Sequence, residues 1–76
     1  MTNIQAIATN FGLTQSFYQN KESFIVSAFG IQVQIDEFSK AINKLFNNGG
    51  LKILEQVKYE VYPTGHASIE FAGVVK

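Results

Sequence analysis

The sequence predicts an α+β fold, a small antiparallel or mixed sheet with helices packed on one face. Three observations carry this reading. Asp36 to Asn48 places its apolar residues at helical spacing. Leu51 to Tyr62 and His66 to Val75 alternate in polarity around a Pro-Thr-Gly turn. Ser23 to Ile35 is rich in β-branched and aromatic residues and reads as extended. The expected order is α-β-β-α-β-β, within a single domain covering residues 1–76.

Thr2 to Phe11 reads as a short helix. Ile4, Ile7, Ala8 and Phe11 fall on one stripe, Thr2 or Asn3 can cap the start, and Gly12 can stop it. Leu13 to Tyr18 fits either a strand leading into the polar turn Gln19-Asn20-Lys21-Glu22 or a second short helix.

Between Ser23 and Ile35, one parity holds Ile25, Ser27, Phe29, Ile31, Val33 and Ile35, and is apolar almost throughout. The other holds Phe24, Val26 and Ala28, then Gly30, Gln32 and Gln34. A straight strand of that length would span roughly 43 Å at about 3.3 Å per residue. A domain of this size is only about 30 Å across. The strand is therefore expected to bend, at Gly30, or to project beyond the domain, a hairpin at Ala28-Phe29-Gly30 lacking good turn chemistry, with Gln32 and Gln34 on a polar face available to a partner.

Asp36 is the expected N-cap of the next helix. Phe38, Ala41, Ile42, Leu45 and Phe46 form its stripe, and Asn47-Asn48-Gly49-Gly50 ends it. In the final hairpin, Pro63 and Gly65 suit a type I turn with a Gly bulge. The register that pairs Val61 with Ala67, Tyr59 with Ile69, Val57 with Phe71 and Ile53 with Val75 gathers the apolar residues on one face. It sets Glu60 opposite Ser68 and Lys58 opposite Glu70 on the other. Glu55 alone breaks the pattern, falling opposite Gly73 on the apolar face. A bulge, a sheet edge or a partner-facing role would each account for it.

Composition narrows the function. The chain has 76 residues, six Lys against six acidic residues, no Arg and no Cys. It should bury roughly 60% of the surface its unfolded form exposes, near the lower limit for an independent domain. Without Cys there is no disulfide and no thiolate metal site. The apolar runs are too short to cross a bilayer, and the opening Met-Thr-Asn-Ile-Gln has no signal-peptide character. A cytoplasmic location without membrane contact is expected.

No catalytic constellation emerges, and no enzyme is expected. His66 is the only His and lies at a turn, while Asp36 is the only Asp. His66 and Glu70 share a face, but about 13 Å separates positions four apart on a strand, too far for one metal ion. Glu60 and Glu70 are not placed as a carboxylate pair. Gly49-Gly50 ends a helix, whereas phosphate sites use helix beginnings. Neither cofactor nor metal is expected.

Two binding classes remain. The first is a non-catalytic, regulatory protein-binding chain that uses a sheet edge or an exposed face, with Gln32, Gln34, Glu55, Tyr62 and His66 as candidate contacts and a second copy of itself as a natural partner. Small size without cofactor or catalytic group is also the profile of small inhibitors encoded by mobile elements. The second class rests on Ile7-Ala8, Phe11-Gly12-Leu13-Thr14 and Tyr18, which resemble a helix-turn-helix. That resemblance implies a DNA-binding regulator with Thr14, Gln15, Ser16, Gln19 and Lys21 at the nucleic acid. Zero net charge and the absence of Arg weigh against nucleic acid as the partner. Aromatics near cations, Tyr18 and Tyr62 with Lys52 and Lys58, are better explained by packing than by single-strand binding. A subunit of a larger assembly is a third class.

Overall fold

The computed structural model describes residues 3–75. Its elements run α1 (Asn3–Asn10), β1 (Thr14–Asn20), β2 (Ser23–Ile31), α2 (Gln32–Asn47), β3 (Leu51–Val61) and β4 (His66–Val75). The four strands form one antiparallel sheet in the order β1-β2-β4-β3. Since β2 and β3 both run opposite to β4, they are parallel to each other. The crossover through α2 leaves a gap between them that β4 fills. The α+β expectation holds, with both helices on one face.

Each helix ends as the sequence indicates. After α1, the Leu13 N–H donates to the Ala8 carbonyl and the Gly12 N–H to the Thr9 carbonyl. After α2, Gly50 donates to Leu45 and Gly49 to Phe46 in the same pattern. These are Schellman motifs, and they place Gly12 (φ 69°) and Gly49 (φ 83°) in the left-handed region. Thr2 lies outside the described residues, and so does the side chain of Asn3.

Leu13–Tyr18 resolves as strand. Thr14 to Asn20 pairs with Phe29 to Ser23 in continuous register. The helix-turn-helix expectation required a second helix over these residues and is corrected. Its physical reason is β2, which supplies a partner ladder for the whole segment and buries Leu13 beneath it.

A second correction concerns Ser23–Ile35. The strand ends at Ile31 and the helix starts at Gln32, four residues before the expected cap. Nine residues of strand span only about 30 Å, which fits the domain. Ile35 then extends the helical stripe to Phe38 and Ile42, and all three are fully buried. Ile31 precedes the helix without a side-chain cap. The Gln32 N–H is instead satisfied by the Gly65 carbonyl at 3.0 Å, a group from the distant hairpin turn. Asp36 is thus a second-turn residue. Gln32 and Gln34 sit on the helix, and the polar strand face expected for them does not exist.

The final hairpin follows the predicted turn. The Gly65 N–H donates to the Tyr62 carbonyl at 3.1 Å, and the Tyr62 N–H to the His66 carbonyl at 2.8 Å. The register holds from Val61 to Lys58, then shifts at a bulge between Gln56 and Lys58 and again between Leu51 and Ile53. Gln56, not Val57, therefore faces Phe71, and Val74, not Val75, faces Ile53. Glu55 moves to the solvent side opposite Ala72, so both a bulge and an edge position explain it.

The core lies between helices and sheet. Ile4, Ala8, Ile35, Phe38 and Ile42 meet Phe24, Val26, Ala28, Ala67, Ile69 and Phe71. Phe38 meets Phe71 edge-on with centroids 6.2 Å apart, and Phe17 stacks on Phe24 at 6.4 Å. Among the described residues no polar or charged residue is buried. Among them also, no helix is long and apolar enough to cross a membrane.

Candidate functional site

The helices cover one face of the sheet and leave the other uncovered. Of the two parities on β2, the buried one is Phe24, Val26 and Ala28. The parity that is apolar almost throughout faces outward. It sets Ile25, Phe29 and Ile31 in solvent at 44%, 43% and 51% exposure, with Tyr18 of β1 at 63%.

Cross-strand register orders this outer face into rows. One row runs Tyr18, Ile25, Ala72, Glu55. The next runs Ser16, Ser27, Glu70, Lys58, and the third runs Thr14, Phe29, Ser68, Glu60. The middle row begins with two serines, flanked by Ile25 on one side and Phe29 on the other. Short side chains between tall ones make a trough. It encloses about 300 Å³ and is lined by Ser16, Ser27, Phe29, Ser68, Glu70 and Lys58.

An aromatic group closes one end. The His66 ring stacks on Phe29 with centroids 5.4 Å apart and planes within 2°. Tyr62 tilts against Phe29 at 6.0 Å, and its hydroxyl shares a 3.2 Å hydrogen bond with the Ser68 hydroxyl. His66 Nδ1 is 3.0 Å from the Thr64 hydroxyl. Among the described residues no carboxylate is hydrogen-bonded to His66, so the ring has no orienting acid of the kind a nucleophilic triad requires.

Charge gathers at the β3 side. The Lys58 ammonium lies 3.0 Å from Glu60, its neighbour two along the same strand, and not on Glu70 as expected across the hairpin. The hydrogen bond and charge of Glu60 raise the pKa of Lys58, and those of Lys58 lower the pKa of Glu60. Among the paired positions from Glu55 to Glu60 and their β4 partners, three carboxylates, Glu55, Glu60 and Glu70, stand on this face against the ammonium of Lys58. This stretch of the outer face is therefore acidic although the chain as a whole is neutral. Among the described residues no group of three or more His, Asp or Glu side chains is placed to hold a metal ion.

The expected contact residues divide between layers. Tyr62, His66 and Glu55 stand on or beside the outer face. Gln32 and Gln34 lie in the first turn of α2, away from the outer face. Of the residues assigned to DNA contact, Thr14 and Ser16 point outward on β1. Gln15 points inward, and its Nε2 donates to the Thr9 hydroxyl at 2.7 Å. Gln19 donates to the Lys21 carbonyl at 2.9 Å, and Lys21 makes the β1–β2 turn. They do not form one surface, because alternate strand residues face opposite ways. Sequence reasoning missed Ile25 and Phe29. Their signal was an apolar parity opposite an equally apolar one, which is more than a single core requires.

No family model matches the chain, and comparison with curated proteins and with solved structures gives no significant match.

Proposed function

We propose that this chain is a non-catalytic binding protein that engages another protein with the uncovered face of its sheet. The observation that carries this reading is the exposure of Tyr18, Ile25, Phe29 and Ile31 on the same face of the sheet, on either side of the serine row. Exposed apolar residues gathered on one face, with polar residues at the rim, mark protein-binding surfaces. The trough suits a protruding aliphatic or aromatic side chain, with Phe29 as a wall and the serine hydroxyls as adaptable hydrogen-bonding groups.

Charge supports a protein over a nucleic acid. The acidic stretch of Glu55, Glu60 and Glu70 around Lys58 repels phosphate and favours a partner with a basic rim. Such a module works by occupying its partner, which is the action of a regulator or an inhibitor.

The test is affinity capture of the tagged chain from lysate of its own source, with and without nuclease. A stoichiometric protein that survives nuclease treatment is expected. Recovery of nucleic acid, or loss of every captured protein on nuclease treatment, contradicts the reading.

A further inference from the structure

We infer that β3 is a self-recognition edge, and that two copies of this chain pair antiparallel through it, Glu55 of each facing Lys58 of the other. This goes beyond the binding face, because it uses the strand edge and not the sheet surface.

β3 is eleven residues long and ends the sheet, and among the described residues no strand pairs on its far side. Its exposed residues include Ile53 at 54%, Val57 at 54% and Val61 at 49%. A long edge with apolar residues is a template for another strand. A bulged edge, however, discourages regular strands, since the extra residue throws one face out of step. A second copy carries the same bulge, so one register cancels it.

The bulge sets Ile53, Glu55, Lys58 and Glu60 on the outer face and Leu54, Gln56, Tyr59 and Val61 on the inner. When the extra Val57 of each strand meets Gln56 of the other, the pairs between Ile53 and Glu60 share a face, and the second bulge at Lys52 falls opposite Val61 at the end of the ladder. Leu54 then faces Tyr59, Ile53 faces Glu60, and Glu55 faces Lys58. Two-fold symmetry makes the last contact twice. Among the described residues Glu55 has no ion-pair partner, and Lys58 forms its salt bridge with Glu60 while Glu70 adds a smaller Coulombic attraction.

Neighbouring registers are worse. Moving the strands by two residues one way sets Glu55 against Glu60, and a shift of three the other way centres the dimer on two facing Glu55 carboxylates. Like charges directly opposite one another destabilise a ladder. The edge therefore selects a copy of itself in one register, and it joins two outer faces into one continuous surface.

Sedimentation velocity on the full chain tests this, over about 1 to 500 μM as suits a small interface. A dimer that tightens at low salt is expected. Glu55→Lys places like charges at both contacts and should weaken it about tenfold or more. Lys58→Glu should do the same, and a one-to-one mixture of the two variants should restore dimers. Lys58→Glu also breaks the Lys58–Glu60 pair. If circular dichroism shows that it does not fold, Glu55→Lys against Glu55→Gln decides, the charge reversal weakening association more than neutralisation. A chain that stays monomeric throughout, a dimer indifferent to Glu55→Lys, or a mixture of folded variants that stays monomeric would overturn the inference.

Discussion

Lys21 is the non-glycine residue with positive φ among the described residues, at 58°. It occupies the first central position of the two-residue turn between Asn20 and Ser23. Tight hairpins favour Gly at such a position because a Cβ there crowds the backbone. Lys21→Gly should raise stability by about 0.5–1 kcal/mol, the relief of that crowding less the added freedom of the unfolded chain. Urea unfolding of the two proteins checks it, and an unchanged or lower midpoint counts against the assigned turn. Tyr59 offers a second residue-scale test. Its hydroxyl donates to Asp36 at 2.9 Å. That hydrogen bond, with some desolvation, raises the Tyr59 pKa, while Gln32 opposes the shift. The folded pKa lies above the unfolded one, so the stabilisation is fully present below the ordinary tyrosine range and is lost as pH rises through the folded value. Ultraviolet titration should show one tyrosine ionising later than an ordinary phenol. Asp36→Asn should bring that step down, because the phenolate no longer faces a carboxylate. At this scale the sequence is partly readable. The misfit of Glu55 signalled a bulge, whereas Asp36 looked like a helix cap and is a partner of Tyr59, 23 positions away.

The elements show why some boundaries were legible and others were not. Both helix ends are written locally, in Gly12 and Gly49. The start of α2 is not, since its cap is a carbonyl of Gly65. Over Ile31, Val33 and Ile35 the period of a strand overlaps that of a helix, and only packing of Ile35 against the core decides. The identity of β1 was likewise undecidable until β2 supplied its ladder. Gly73 of β4 tests the packing between strands and core. A Cβ there would overlap the Ile53 carbonyl oxygen and come within 2.9 Å of the Phe24 ring. Gly73→Ala should cost about 1–3 kcal/mol, as overpacking does when the obstacle includes backbone. Phe38→Ala should cost about 3–5 kcal/mol, since Phe38 is fully buried against Phe71. Denaturant midpoints measure both. A neutral Gly73→Ala would mean that β3 and β4 do not approach as described.

At the scale of the whole molecule, apolar side chains are divided between two faces with different fates. Phe24, Phe38 and Phe71 are consumed by the core, whereas Ile25 and Phe29 remain in water. The sequence showed a chain with more apolar strand surface than one small sheet needs. It did not show which parity the helices would cover, because both parities of β2 are apolar and the choice is made by α1 and α2 together. The binding account turns on that uncovered face. Its most direct test compares capture by the native chain, by Phe29→Lys on the outer face and by Lys40→Glu on the exposed side of α2. Thermal unfolding should first establish that all three fold, as expected for substitutions at exposed positions. The account predicts that the native chain and Lys40→Glu retain the same nuclease-resistant protein and that folded Phe29→Lys loses it. Equal retention by Phe29→Lys would place binding elsewhere and contradict the account.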